Sequence, residues 1–538
     1  MYNNSLLYKQ LLVEHNPEEA DQYMKDELQK RNITDYISFV NNYRRDYDEK
    51  SIVKYVDLVS YFQLDLQTEF SEYLLEKYIL NKQYLELICN FHCVKYVVEE
   101  LCKNKNNLDD DQLLYISSYI DILELNLCDN QKITDKGLTN CIHLQKLNAK
   151  FNKKITTCDP FAKSLIYLNA VSSWSIGDKG LKNCVNLQTL IMWGNDNITT
   201  CNPFAKSLLK LDASLECGMT NKGLKKCVNL QILRANQNPE ITSCKPFGNS
   251  LLELDAEEDC GINNKGLEHC VNIKKLNINQ NDNITTCDPF AHSLLELIAS
   301  DCVMKDKGLK NCVNLQKLNA FNNQYITTCK PFSQSIIELD ATGDCGIDDE
   351  AIKDCVNLQI LSASCNEKIT DEGLKNLTKI QKLYAENNSK ITTCAPFAHN
   401  LVELSAEKEC GIDDNALKSC VILQILNARK NKKITTCAPF AKTLIELNAD
   451  EECGIDDKGL EQCFNLQKLY ATDNVKITTC KPFANSLIEL GADYNSGIND
   501  EGLKNCCNIK ILYSSYNEKI TNKINEKLFC GDDDNDDY

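Results

Sequence analysis

Thirty cysteines in a chain of 538 residues are the side chains most able to do chemistry in this sequence. Thiolates hold zinc in sets of four, close disulfides in pairs, or attack singly when a base or a cation lowers their pKa. Their spacing sorts them. Eight end the phrase Ile-Thr-Thr or Ile-Thr-Ser: Cys158, Cys201, Cys244, Cys287, Cys329, Cys394, Cys437 and Cys480. Nine fall in a second column: Cys141, Cys184, Cys227, Cys270, Cys312, Cys355, Cys420, Cys463 and Cys506. Six more, Cys217, Cys260, Cys302, Cys345, Cys410 and Cys453, form a third, so 23 of the 30 are periodic. Members of one column recur every second strand, ~10 Å apart, which is too far for a disulfide. Four-ligand convergence has no support from the spacing, and no C-x-x-C pair occurs in the periodic region. Cysteine is small, apolar and among the most buried residues, so the columns read as packing beneath a turn.

One aperiodic cluster also merits weighing. The stretch ICNFHCVKYVVEELC holds Cys89, His92, Cys93 and Cys102. On a helix Cys89 and Cys93 share a face with His92 beside them. The set lacks a fourth ligand at any standard zinc spacing, and a nucleophilic thiol would need a partner base. Core packing is the simpler reading. The other histidines are scattered, and no glycine-rich loop could cradle a phosphate. No catalytic residue, metal ligand or cofactor site is therefore expected.

The element that positions these columns is a repeat. The pattern L-x-x-L-x-(L/A) starts nineteen units between Ile122 and Ile509, each 21 or 22 residues long. Two kinds of unit alternate, giving a 43-residue period, as in LQKLNAKFNKKITTCDPFAKS at 144–164 and LIYLNAVSSWSIGDKGLKNCVN at 165–186. The phase breaks once, where like units follow each other at Leu358 and Ile380. This signature resembles the leucine-rich repeat family over about three quarters of the chain. The resemblance implies an α/β solenoid with a parallel sheet on a concave face and short helical or 3₁₀ turns on the convex one. Alternation along the strand sends Leu168 and Ala170 inward and Tyr167, Asn169 and Val171 outward. Asn152, Asn195, Asn238, Asn281 and Asn323 end their strands and are expected to bond the turning backbone of neighbouring units. Proline in TTCxPF fixes φ and opens a tight turn. No unit can bury its own apolar side, so only the stack is stable.

Outward positions carry two kinds of residue. Lysine and glutamate alternate along the strands, as in Glu253, Lys275, Glu296, Lys317 and Glu338, and neutralise one another. Other positions are irregular, so architecture does not demand them. Trp193, Arg234, Phe321, Tyr384, Arg429, Tyr470 and Tyr513 are of the types that anchor protein interfaces. They are the candidate partner-binding residues, with Trp193, Phe321, Tyr384 and Tyr470 as the aromatic anchors.

The chain divides into a helical cap or adaptor-like domain at 1–121, the repeats at 122–530, and an acidic tail at 531–538 expected to be disordered. Asn16, Pro17 and the acids after them make a helix start, and 51–79 has helical periodicity. Residues 55–80 resemble the helical half of BTB or Skp1-like adaptors. F-box proteins also carry such repeats, although the Leu-Pro opening of that motif is missing here. A net charge of −18 disfavours nucleic acid and anionic membranes. No apolar run reaches a membrane span, and no secretory signal is visible, so a reducing cytoplasm is expected. The 43-residue double unit, the Asn/Lys/Ile bias and the N-terminal helices resemble leucine-rich repeat proteins of giant amoeba-infecting DNA viruses of the mimivirus type, which implies a host cytoplasm or a virion. The functional expectation is a non-enzymatic protein-interaction scaffold, with a ubiquitin-ligase substrate adaptor as its finer form. The alternatives are a thiol-dependent ligase-type enzyme using Cys89 or Cys93, and a structural virion component.

Overall fold

The computed structural model describes residues 108–119 and 121–521. The helical reading of residues 1–107 and the reading of the tail at 531–538 lie outside them. The chain forms two compact units, divided after Thr242. The described part of the first holds one ten-residue helix, α1 (Asp110–Tyr119), and six three-residue strands. These are β1 (Glu124–Asn126), β2 (Lys146–Asn148), β3 (Tyr167–Asn169), β4 (Thr189–Ile191), β5 (Lys210–Asp212) and β6 (Ile232–Arg234). Each pairs in parallel with the next, and its central leucine lies opposite its neighbour's, as Leu147 opposite Leu168. The second unit holds thirteen such strands, from β7 (Glu253–Asp255) to β19 (Ile511–Tyr513), paired in the same way. Both units are leucine-rich repeat solenoids.

The strands are short because each chain turns at once into the next coil. Every strand is followed by a corner in the left-handed region, from Asp129 and Phe151 to Tyr494 and Tyr516; after β5 two residues, Leu215 and Glu216, share it. Only two of these corners, Gly194 and Gly343, are glycine. The corner also explains one departure from the expected alternation. Leu168 and Ala170 are buried as expected, but Val171 is buried too. The strand has already ended at Asn169, and the turn at Ser172 folds Val171 beneath it.

Behind the strands, each word of the repeated phrase has a physical job. Ile155 is buried. Thr156 donates its amide to Asp135 Oδ1 and its hydroxyl to Asp135 Oδ2, crossing to the preceding coil. Thr157 Oγ1 accepts from the amide of Asp159, opening a 3₁₀ turn that carries Pro160. That turn drives Phe161 into the core. Eight phenylalanines in this column, including Phe204, Phe290 and Phe440, are the largest fully buried side chains described. Ser164 Oγ lies 3.1, 2.9 and 3.0 Å from the carbonyls of Ile142, Leu144 and Phe161, tying two coils together. The glycine of DKGL permits close approach: a Cβ on Gly180 would lie 2.2 Å from the Thr156 carbonyl.

The asparagine ladder is the other tie. Asn388 is buried. Its Nδ2 donates toward Ala363 O at 3.1 Å, Asn366 O at 2.7 Å and Ile369 O at 3.1 Å. Its Oδ1 accepts from the amides of Lys390 and Ile391. The start of the array is closed by imitation. Asp110 of α1 accepts from the amide and hydroxyl of Thr134, as later aspartates do one coil apart. Leu113 and Ile116 of the same helix are buried.

Asn388→Ala removes one donor group and one acceptor from buried backbone, and the orphaned groups cost about 1–3 kcal/mol each. We expect a destabilisation on the order of 3 kcal/mol in urea unfolding. Hydrogen exchange should rise in residues 363–391 and little elsewhere. Uniform loosening of the whole unit would contradict this local account.

Candidate functional site

The seven anticipated partner-binding residues lie on or just past different strands of the two units. Trp193 and Arg234 belong to the first unit, and the other five to the second. Trp193 is half-buried and packs edge-on against Phe151, with ring centroids 6.5 Å apart. Lys150 Nζ stands 4.9 Å from the Phe151 ring and 5.5 Å from that of Trp193. Arg234 is exposed, 3.9 Å from the Asp212 carboxylate. Phe321 is half-buried, with its amide held by Asn319 Oδ1.

Tyr384 and Tyr470 repeat one arrangement. The Tyr384 hydroxyl donates to Glu403 Oε1 at 2.6 Å, while Lys382 Nζ lies 2.7 Å from Oε2 of the same carboxylate. Tyr470 donates to Glu489 at 2.8 Å, with Lys468 at 3.7 Å from both Glu446 and Glu489. Burial, and then the neighbouring carboxylate, hold both phenols protonated well above their usual range. Arg429 donates through Nε to Glu451 Oε1 at 2.9 Å, and Lys430 meets the other oxygen at 2.7 Å. Tyr513 is 50% exposed. The alternating charges pair as expected, with Lys275–Glu296 at 3.3 Å and Lys317–Glu338 at 2.7 Å.

Reading outward positions from strand alternation overlooks the corners. Trp174 is 56% exposed, donates Nε1–H to Gly194 O at 3.0 Å, and has Lys153 Nζ 5.4 Å from its ring. In the second unit Tyr494 and Tyr516 stack at 5.5 Å with planes 15° apart. The signal was in the sequence as aromatic residues four to six places past the strand leucine.

All 23 periodic cysteines are buried. Comparing columns one at a time missed a contact between columns. The Cys158 amide donates to Gly180 O of the next coil at 3.0 Å, which brings its thiol to that of Cys184. Seven further pairs repeat this, among them Cys201 with Cys227, Cys287 with Cys312 and Cys480 with Cys506. The hydrogen bond from its partner, and then burial, hold the first thiol of each pair protonated well above its usual range. In the third column burial pushes Cys217, Cys260 and Cys453 up to about 11. These are the properties of space-filling thiols. Among the described residues no group of three or more His, Cys, Asp or Glu could hold a metal. Cys89, His92, Cys93 and Cys102 lie outside the described residues. The described helices include none long and apolar enough to cross a membrane.

No protein-family model matches the sequence, and a search of curated proteins returns no match. Solved structures do match. One is internalin InlF from Listeria monocytogenes, at 19% identity and TM-score 0.40, over 66% of this chain and 94% of that one. A second is a TLR13–ssRNA13 complex, at 17% identity and TM-score 0.44, over 76% and 79%. A third is the functional domain of InlJ from Listeria monocytogenes, described as including a cysteine ladder, at 16% identity and TM-score 0.37, over 72% and 74%.

Two predictions follow from the thiols. Brief alkylation of native protein should label Cys365 and Cys507, which are exposed, and Cys128 more slowly. The periodic cysteines should react only on unfolding; early labelling of Cys158 or Cys184 by mass spectrometry would refute their burial. The second concerns pH. A third-column thiol ionises near 9 when unfolded but near 11 when folded, so above pH 9 the folded state binds more protons. Stability is then full below about pH 9 and falls as pH rises, by up to ~1.4 kcal/mol per unit for each such thiol. Alanine at Cys260, Cys410 and Cys453 should flatten that slope in melts between pH 8 and about 10.5.

Proposed function

We propose that the repeat array is a non-enzymatic scaffold that binds a protein partner on its sheet face. The observation that carries the reading is the division of roles along each unit. Inward positions are filled by leucine, alanine, asparagine, phenylalanine and thiols whose contacts the stack requires. Trp193, Phe321, Tyr384 and Tyr470 stand on the outward side, where neither packing nor register requires an aromatic. Half-exposed aromatic rings held by fixed neighbours lose little entropy on binding, the property that makes such residues interface anchors. The Tyr384 and Tyr470 hydroxyls are already engaged by glutamates, so it is their ring faces that are offered.

In the finer form of this reading, residues 1–121 are an adaptor that couples the captured protein to a ubiquitin ligase, and the setting is an amoeba infected by a giant virus. Sequence resemblance alone supports these two points.

Alanine at Trp193, Phe321, Tyr384 and Tyr470 together should leave the fold intact, because none of the four is buried. Each hot-spot aromatic contributes about 2 kcal/mol, so the variant should lose well over ~30-fold in affinity. Immobilised full-length chain and variant would be compared for capture from amoeba lysate. A protein retained equally by both, with no protein lost, would sink the sheet-face reading. Recovery of cullin or Skp1 would support the adaptor form, and its absence from otherwise specific captures would remove that form alone.

A further inference from the structure

A bulky aromatic is a poor choice for a left-handed corner. Such a residue sits in a sparsely populated backbone region at a cost of order 1 kcal/mol or more. Nineteen corners of this kind are described, and three are aromatic: Phe151 in the first unit and Tyr494 and Tyr516 in the second. The coil itself does not need them, since glycine, serine, asparagine and glutamine serve elsewhere. Nor are they folded away: Phe151 is half-buried against Trp193, and Tyr494 is 52% and Tyr516 82% exposed.

The two places differ in charge. Around Phe151, Trp174 and Trp193 stand Lys150, Lys153 and Lys154; the nearest acids in sequence are Asp159, Asp178 and Asp196, of which Asp159 and Asp178 accept from Asn183 and Thr199. Around Tyr494 and Tyr516 stand Asp473, Asp493 and Glu518. The lysines there, Lys476 and Lys519, direct their ammonium groups onto the backbone carbonyls of Cys453 and Ser496. The wider chain repeats this contrast. Residues 121–242 carry fifteen basic and ten acidic side chains, whereas 243–521 carry twenty-nine basic and forty acidic. Five further aspartates follow in the tail at 531–538.

We propose that the chain associates head to tail with a second copy of itself, the basic Phe151–Trp174–Trp193 corner of one molecule receiving the acidic Tyr494–Tyr516 corner of the next. Lysine over aromatic faces, tyrosine stacked against tryptophan, and opposite surface charge are the contacts this pairing makes. The two surfaces are different patches of one chain, so the contact is heterologous. Each added copy presents a fresh acidic and a fresh basic corner, and the product grows beyond the dimer, as a ring or an open string. Two corners form a small interface, so association is weak, with Kd about 10 µM or above and strong dependence on salt. This goes beyond partner binding by the sheet face and stands separately from it, because a chain that stays monomeric can still capture a partner.

The test is sedimentation velocity on the full chain from about 1 to about 200 µM at low and high salt. The expected result is a weight-average mass of 61.0 kDa at the lowest concentration, rising with concentration and falling back with salt. Lys153→Glu with Trp174→Ala disables the basic corner. Tyr494→Asn with Tyr516→Asn disables the acidic one while keeping a residue that tolerates the left-handed turn. Each variant alone should remain monomeric. Mixed together, they retain one competent corner of each kind, so the mixture should stop at dimers. Lys153→Glu with Lys154→Glu leaves all rings in place and should match the first variant, which separates lost contact from disturbed packing. A wild-type chain that is monomeric throughout overturns the proposal. So does assembly by either variant alone, a mixture that stays monomeric, or growth indifferent to salt.

Discussion

No coil in this protein can satisfy its own corners. A three-residue strand makes few backbone bonds, and the turns around it leave buried carbonyls and amides that must be paired by something else. The partners are borrowed from the neighbouring coil through side chains at fixed places: asparagine at the front corner, aspartate to threonine at the rear, serine at the start of the next strand. Apolar burial holds the coils together, but it is indifferent to register. These polar ties are what set each coil at one height and one rotation against the next, because a buried donor without an acceptor costs more than the small gain from any alternative packing. Stability is consequently a nearest-neighbour property. The first described coil has no predecessor among the described residues, and helix α1 supplies the corresponding aspartate as Asp110. At the other end no such substitution is described, and Leu512 of β19 is only half-buried where the other central leucines are buried.

How much of this could be read from the sequence follows from which features repeat in phase. The leucine and asparagine columns are one feature per unit at a fixed offset, so alignment of the chain with itself exposes the sheet, the ladder and the proline turn. The burial of Cys158, Cys217 and Cys227 is legible for the same reason. The thiol pairs were not, because they join different columns of successive coils. Their mark is an offset of 25 or 26 residues, as from Cys244 to Cys270, which belongs to neither the unit length nor the double unit. Only the bond from Cys244 N to Gly266 O shows that this offset closes a contact. The outward residues were legible as far as strand geometry extends. Trp193, Tyr384 and Tyr470 were found by alternation, whereas Phe151, Trp174, Tyr494 and Tyr516 lie past the strand, where period two no longer holds. The misplacement of Val171 has the same origin.

The interior columns leave a unit few positions that can differ from its neighbours. The central strand leucine, the alanine two places later, the corner asparagine or cysteine, and the rear phenylalanine or glycine each have a contact that another residue type would break. What is left are the two outward strand positions and the short run past the corner. Most outward strand positions are taken by Lys–Glu alternation, which neutralises the sheet and gains a few tenths of a kcal/mol per pair at most. Irregular residues at these places are therefore not noise distributed over the whole chain. They are concentrated where the architecture is silent.

Energetic direction sharpens this further. A tryptophan or tyrosine on the flat of a strand is tolerated, since aromatics suit a pleated surface, so its presence there says little by itself. A left-handed corner is different, because the backbone penalises a bulky side chain while small or amide residues would relieve it. Phe151, Tyr494 and Tyr516 hold positions that the core does not use and that backbone geometry opposes, and the contacts they make are with other surface side chains. In the interior a disfavoured conformation could be offset by burial, but Tyr516 is 82% exposed and, among the described residues, its ring contact is the stack on Tyr494, itself 52% exposed. A stacked pair that leaves most of its ring area in solvent is better explained by a contact still to be made than by the coil, which is why the corners carry more functional information than the sheet face they adjoin.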